Sequence, residues 1–155
     1  MTGRIVQLNR SPGGVPKLPI PEVWIGTLGL EGDGHNHPKH HGGPERAVSL
    51  FALEVIEALR AEGHPIAPGS TGENVTVSGL PWATIISGTK LQLGGDVVIE
   101  ITRPATPCKL IAGSFADRDS DRISHKLHPG DSRLYARVLQ EGRVRVGDPI
   151  NVLDA

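Results

Sequence analysis

The sequence predicts a mainly β, α+β fold: a small barrel-like mixed β-sheet with one main helix and short helical insertions. Three observations lead there. Gly and Pro supply 20 and 13 of the 155 residues, which makes turns frequent yet stays below the roughly 25–30% that marks low complexity. Short runs rich in Val, Ile and Leu recur between those turns, as half-buried strands do. Only one stretch, 52–62, carries apolar residues at helical spacing. Five residues are aromatic (two Trp, one Tyr, two Phe), so the core rests on aliphatic side chains.

Residues 3–8 (GRIVQL) read as a first strand. Residues 9–21 hold Pro12, Pro16, Pro19 and Pro21 and suit only a loop or a sheet edge. Residues 22–25 form a short strand. The glycine- and histidine-rich stretch 29–44 has neither period and reads as a long functional or disordered loop. Residues 47–51 (AVSLF) are a buried strand, and 52–62 the helix, with Gly63 as its stop. Strands return at 73–77, 90–93 and 96–102, with Gly94-Gly95 marking a two-residue hairpin. Residues 134–140 and 143–146 flank Glu141-Gly142, a second hairpin signal, and 150–153 close the chain. The stretch 117–131 reads as a solvated, mobile connection able to act as a lid.

Composition excludes several functions. Sixteen basic against 17 acidic residues give a net charge of −1, too balanced for a broad nucleic-acid-binding face. No run approaches the ~18 apolar residues of a membrane span, and the N-terminus lacks a signal-peptide core. A single domain over 1–155, cytoplasmic and free of membrane and nucleic acid, is expected. The one cysteine, Cys108, excludes an internal disulfide and fits a reducing compartment.

Two segments carry chemistry. In 103–113 (RPATPCKLIAG), Thr106 suits an N-cap and Pro107 the first helical position. Cys108 would then lie in the first turn, where backbone N–H groups favour a thiolate; the plainer reading is a buried, inert thiol. In 32–46 (GDGHNHPKHHGGPER), His35, His37 and His40 or His41 with Asp33 are possible zinc ligands. The same stretch also reads as a solvated loop, or as an anion site built from Gly42-Gly43 backbone and the Arg46 fork. Residues 69–74 (GSTGEN) let backbone approach a ligand, with Asn74 able to bond a heterocycle or merely to cap a turn. The acidic run at 117–121 lacks the Gly and Glu of a calcium loop.

Four stretches together resemble the MOSC domain, named for the C-terminal domain of molybdenum-cofactor sulfurase: GLEGDGHNHPKHHGGPERAVSLFALE at 29–54, PGSTGENVTVSGL at 68–80, GTKLQLGGDVVIEITRPATPCKL at 88–110 and RVRVGDPI at 143–150. The order His-Gly-Gly-Pro, Gly-Glu-Asn, Pro-Cys is specific, and the match is to the small stand-alone bacterial type. The resemblance implies a molybdenum cofactor (molybdopterin), with Cys108 as catalytic residue and molybdenum ligand. It places His41, Gly42, Gly43, Arg46, Gly72, Asn74 and Thr106 as cofactor-binding residues. Gly34 and Ala105 stand where relatives often carry arginine. The implied activity is reduction of N-hydroxylated small molecules, such as hydroxylamino-purines, with electrons from a separate reductase. The alternative is a sulfur carrier, Cys108 taking a persulfide from a pyridoxal-phosphate-dependent cysteine desulfurase.

Overall fold

The computed structural model describes residues 2–34 and 43–153. Its first strand, β1 (Thr2–Arg10), buries Ile5 and Leu8, three residues apart. A bulge in its pairing between Ile5 and Gln7 resets the alternation, because one extra residue flips the faces that follow. The remaining strands are β2 (Leu18–Ile20), β3 (Glu22–Gly26), β4 (Gly29–Leu30), β5 (Val48–Ala52), β6 (Val75–Ser78), β7 (Lys90–Leu93), β8 (Val97–Pro104), β9 (Leu134–Gln140), β10 (Gly142–Arg145) and β11 (Pro149–Leu153).

The main sheet runs β11-β7-β8-β9-β5-β6-β1-β2, and β11 pairs with β1 as well. That second pairing closes seven strands into a barrel with β2 at its margin, which removes the exposed edges an open sheet would present. The β5–β6 pair is parallel and the other pairs are antiparallel. A parallel pair needs a crossover, and the helix α1 (Leu53–Ala61) supplies it. The expected barrel-like mixed sheet with one main helix is therefore what forms.

Helix α1 buries Ile56 and Leu59 against the barrel, worth roughly 1.5–3 kcal/mol each by area. It stops where Gly63 takes a φ of 102°. There the Gly63 N–H donates to the Arg60 carbonyl and the His64 N–H to the Leu59 carbonyl. This double closure of the last turn needs a left-handed residue. β7 and β8 alternate buried and half-buried positions as the sequence indicated.

Three expectations change. The β7–β8 turn takes three residues, Gly94 to Asp96, since Leu93 pairs with Val97. β9 and β10 do not form a hairpin: β10 leaves the barrel to pair with β3 in a separate sheet, β10-β3-β4. Glu141 explains the departure, because its carboxylate accepts from the Thr27 N–H at 2.8 Å and turns the chain toward the β3–β4 turn. Finally, 117–131 is docked. Its short 3-10 turn, Ser120–Ile123, buries Ile123, and Arg122 reaches Glu62 at 2.8 Å and Asp131 at 2.7 Å. Those two carboxylates hold the Arg122 guanidinium firmly charged, and their hydrogen bonds raise its pKa.

A strap, 11–17, crosses one end of the barrel against Gly34 and Gly72. A Cβ on Gly34 would stand 1.8 Å from the Pro12 carbonyl oxygen, and one on Gly72 would stand 2.9 Å from Val15 Cγ1. The Gly34 N–H also donates to the Ser11 carbonyl at 2.7 Å. Gly34→Ala is expected to cost about 1–3 kcal/mol or more through this backbone collision. Gly113→Ala, which meets nothing within 4 Å, should stay within about 0.5 kcal/mol of the parent. Urea midpoints of the two variants check this, and equal midpoints would contradict the packing of the strap.

Candidate functional site

The strap end of the barrel holds a cleft that opens to solvent. Five distant pieces of chain build its wall. Arg46 and Ser49 come from the turn before β5 and from β5, Thr71, Gly72 and Asn74 from the loop before β6, and Cys108, Leu110 and Ile111 from the stretch after β8. Arg133 and Tyr135 come from the start of β9, and Gly14, Val15, Lys17 and Gly34 from the strap and its neighbour. Of the sequence-derived site residues, Arg46, Gly72, Asn74 and Cys108 therefore face one cavity.

Gly43 is exposed and does not line the cavity, nor does Thr106, which is also exposed. His41 and Gly42 lie outside the described residues, as do His35, His37 and His40 of the zinc reading.

Cys108 does not occupy the first turn of an α-helix. It precedes a six-residue 3-10 helix, Lys109–Ser114, as its extended N-cap (φ −131°, ψ 172°), with no side-chain capping bond. Pro104 still belongs to β8 and the Ala105 N–H donates to the Arg133 carbonyl at 2.9 Å. Cys108 is itself extended, so the helix starts only at Lys109, and Thr106 and Pro107 fall ahead of its cap. The thiol is free and half-buried on the cleft wall. Ser114 Oγ donates to Ser70 Oγ at 2.8 Å and ties this segment to the loop before β6.

Asn74 is fully engaged by the protein. Its Oδ1 accepts from the Ser49 N–H at 3.0 Å and from Ser49 Oγ at 3.2 Å. Its Nδ2 donates to Asp33 Oδ2 at 2.9 Å and to the Asn9 carbonyl at 3.3 Å. An amide has two donors and two acceptor positions, and all four are spent on joining β1, β5 and the strap side of the cleft. Asp33 also accepts from Lys17 Nζ at 2.6 Å and from the Ser11 N–H at 3.0 Å. That carboxylate pins the strap.

Sequence reasoning missed Arg133. It is only 8% exposed, donates through Nη1 to the Thr71 carbonyl at 2.8 Å and through Nη2 to the Thr106 carbonyl at 3.4 Å. It therefore bridges the Gly72 loop and the Cys108 segment. Its Nε is the one buried side-chain polar atom among the described residues without a partner. Burial lowers its pKa, opposed by the charges of Tyr135, Glu73 and Cys108. No local motif marks this residue, since a single Arg before a strand is ordinary in sequence. Tyr135, two residues on, carries the Arg46 guanidinium 5.9 Å from its ring centroid.

Behind the loop lies Glu73, fully buried. Its carboxylate accepts from the Gly69 N–H at 2.9 Å, Thr71 Oγ1 at 2.9 Å and Thr76 Oγ1 at 3.0 Å. Burial pushes its pKa up, against the lowering effect of those bonds.

The sequence model of the MOSC domain matches residues 37–151. The chain belongs to the MOSC domain family. It is 30% identical over 142 residues to YflK of Bacillus subtilis, covering 90% of this chain and 63% of that protein. It is 24% identical to YiiM of Escherichia coli over 92% of this chain and 64% of YiiM. It is also 29% identical to a protein named reductase from Gibberella moniliformis, over 85% of this chain and 24% of that protein. The chain thus spans less than two thirds of these relatives' lengths. Among solved structures, YuaD of Bacillus subtilis superposes with a TM-score of 0.80 at 21% identity, covering 98% of this chain and 96% of that one. YiiM of Geobacillus stearothermophilus gives 0.77 at 24% identity, covering 98% and 75%. These likenesses support the MOSC fold.

The family binds the molybdenum cofactor, a pterin dithiolene ending in a phosphate. The residues present fit such a group. A soft sulfur donor faces the cleft, as a molybdenum ligand should, and a buried guanidinium there has unspent donors and no carboxylate partner among the described residues. Gly34 and Ala105 supply no cation. Gly34 has no room for a side chain beside Pro12, and Ala105 is buried.

Proposed function

We propose that this cleft holds the molybdenum cofactor and that the protein reduces N-hydroxylated small molecules there. Carrying this reading is the convergence of the Cys108 thiol with Arg133 and Arg46 on one cavity wall, inside a family that binds the cofactor. A relative bearing the name reductase adds support.

When bound, the cofactor supplies two-electron chemistry at molybdenum, so that R–NHOH with two electrons and two protons gives R–NH2 and water. The chain's own residues bind and orient. Cys108 Sγ is the protein ligand of the metal, and as a thiolate it is a soft donor. Arg46, stacked on Tyr135, and the neighbouring Arg133 supply positive charge for the anionic end of the cofactor. Gly72, with φ at 83°, lets the strap residue Val15 pack closely on the cleft wall. Asn74 holds Ser49 and Asp33 in place, and the strap residues Gly14 and Val15 line the cleft. Electrons come from a separate reductase.

A second reading rests on the half-buried free thiol: Cys108 attacks a desulfurase persulfide, takes its outer sulfur and leaves the desulfurase thiolate behind. Protein purified from a host that makes the cofactor is expected to contain molybdenum and pterin in equal amounts. Metal analysis and pterin fluorescence measure this. A metal-free protein that gains the mass of one sulfur atom on incubation with a desulfurase and cysteine would overturn the reductase reading in favour of the carrier.

A further inference from the structure

Arg133 poses a physical problem that folding alone does not solve. A guanidinium carries five N–H donors, and this one spends two, on the Thr71 and Thr106 carbonyls. Three remain, including the Nε–H that has no partner. The side chain is 8% exposed, and no carboxylate pairs with it among the described residues. Glu73 influences it at a distance but spends its oxygens on Gly69, Thr71 and Thr76. A buried unpaired cation is costly; Arg133 lines the cleft, where an anion would satisfy donors that the fold leaves unspent.

We infer that Arg133 is the anion receptor of the cleft and takes a tetrahedral oxyanion of the phosphoryl class. The guanidinium fork fits two oxygens of such a group. Its two carbonyl bonds fix the fork between the Gly72 loop and the Cys108 segment, so little side-chain entropy is lost on binding. Arg46 lines the same cavity, which places a second guanidinium near the anion, whereas Lys17 is paired with Asp33. The inference deepens the cofactor reading in naming one end of its site. It stands without that reading, because a free oxyanion has the same chemistry as a phosphate ester.

Titration of the metal-free protein tests it, with inorganic phosphate in one arm and guanosine monophosphate, a heterocycle carrying a phosphomonoester, in the other. Calorimetry and the rate of Cys108 alkylation by iodoacetamide are the readouts. Phosphate is expected to bind and to slow alkylation. Arg133→Lys keeps the charge but loses the fork, and should weaken binding at least about tenfold, the scale of one charge-assisted hydrogen bond. A tighter fit for the monoester assigns the site to an ester ligand, and a tighter fit for phosphate assigns it to a free oxyanion. Thermal unfolding shows whether the Lys variant is folded; if it is not, Arg133→Gln, which retains two donors, replaces it. Phosphate binding unchanged within twofold in the folded variant, or no binding to the parent, overturns the inference. Because no metal or pterin enters the measurement, its failure leaves the cofactor reading to be judged by metal analysis alone.

Discussion

Cys108→Ala protein is expected to fold like its parent and to carry almost no molybdenum. The two halves of that expectation have separate grounds. Folding survives because the thiol makes no capping bond at the start of the Lys109–Ser114 turn and is only half-buried. Its removal therefore leaves no orphaned donor and no sealed cavity, and the stability change should stay near about 0.5–1 kcal/mol. Metal is lost because no second cysteine exists in the chain and the described residues contain no cluster of three or more His, Cys, Asp or Glu side chains that could replace it. Replacing even an outer-shell partner of a metal typically costs about 10–100-fold in affinity or activity, so removing the sulfur itself should cost at least about a hundredfold in activity. Cys108→Ser keeps the shape but offers a hard oxygen, and should behave like the Ala variant toward metal. The molybdenum-to-protein ratio, measured beside the thermal midpoint, decides it. A folded Ala variant that retains the parent's molybdenum removes Cys108 from the site.

The barrel was legible in the sequence because its signals are local. The alternation from Val97 to Thr102 states a strand, and the apolar stripe ending at Gly63 states a helix and its stop. The partner of each strand was less legible. Glu141-Gly142 has the residues of a tight hairpin, yet β10 pairs with β3, because the Glu141 carboxylate bonds a backbone N–H more than a hundred positions away. The cysteine segment failed for a similar reason. Thr106-Pro107 has good helix-start chemistry, but the Thr106 carbonyl is taken by Arg133 from across the cleft and Cys108 stays extended, so the helix starts only at Lys109. In the site, the motif residues Arg46, Gly72, Asn74 and Cys108 were readable, since each sits in a distinctive stretch. Arg133 was not. What singles it out is burial without a carboxylate partner, and that exists only once the chain is folded.

Glu73 is where the fold and the site depend on one group. Its carboxylate shapes the loop whose Thr71 carbonyl receives Arg133. Glu73→Ala should leave the Gly69 N–H buried without an acceptor and should free both threonine hydroxyls. At about 1–3 kcal/mol for each stranded group, the expected loss is about 3–5 kcal/mol, a large share of a small domain's stability. Glu73→Gln retains one acceptor oxygen and the volume, and should lose far less. The same pair of proteins reads the protonation of Glu73. Burial raises its folded pKa above the ordinary 4.5, so the folded state holds a proton that the unfolded chain has released. Its contribution to stability is then fully present below the ordinary carboxylate range and is lost as pH rises through the raised folded value. The difference in unfolding free energy between parent and Glu73→Gln should therefore move in favour of the Gln variant from acid toward neutral pH. Urea titrations at several pH values measure that difference. A difference that stays flat across the range would mean that Glu73 titrates in the fold as it does in the unfolded chain, and that its three hydrogen bonds offset the whole cost of burying its charge.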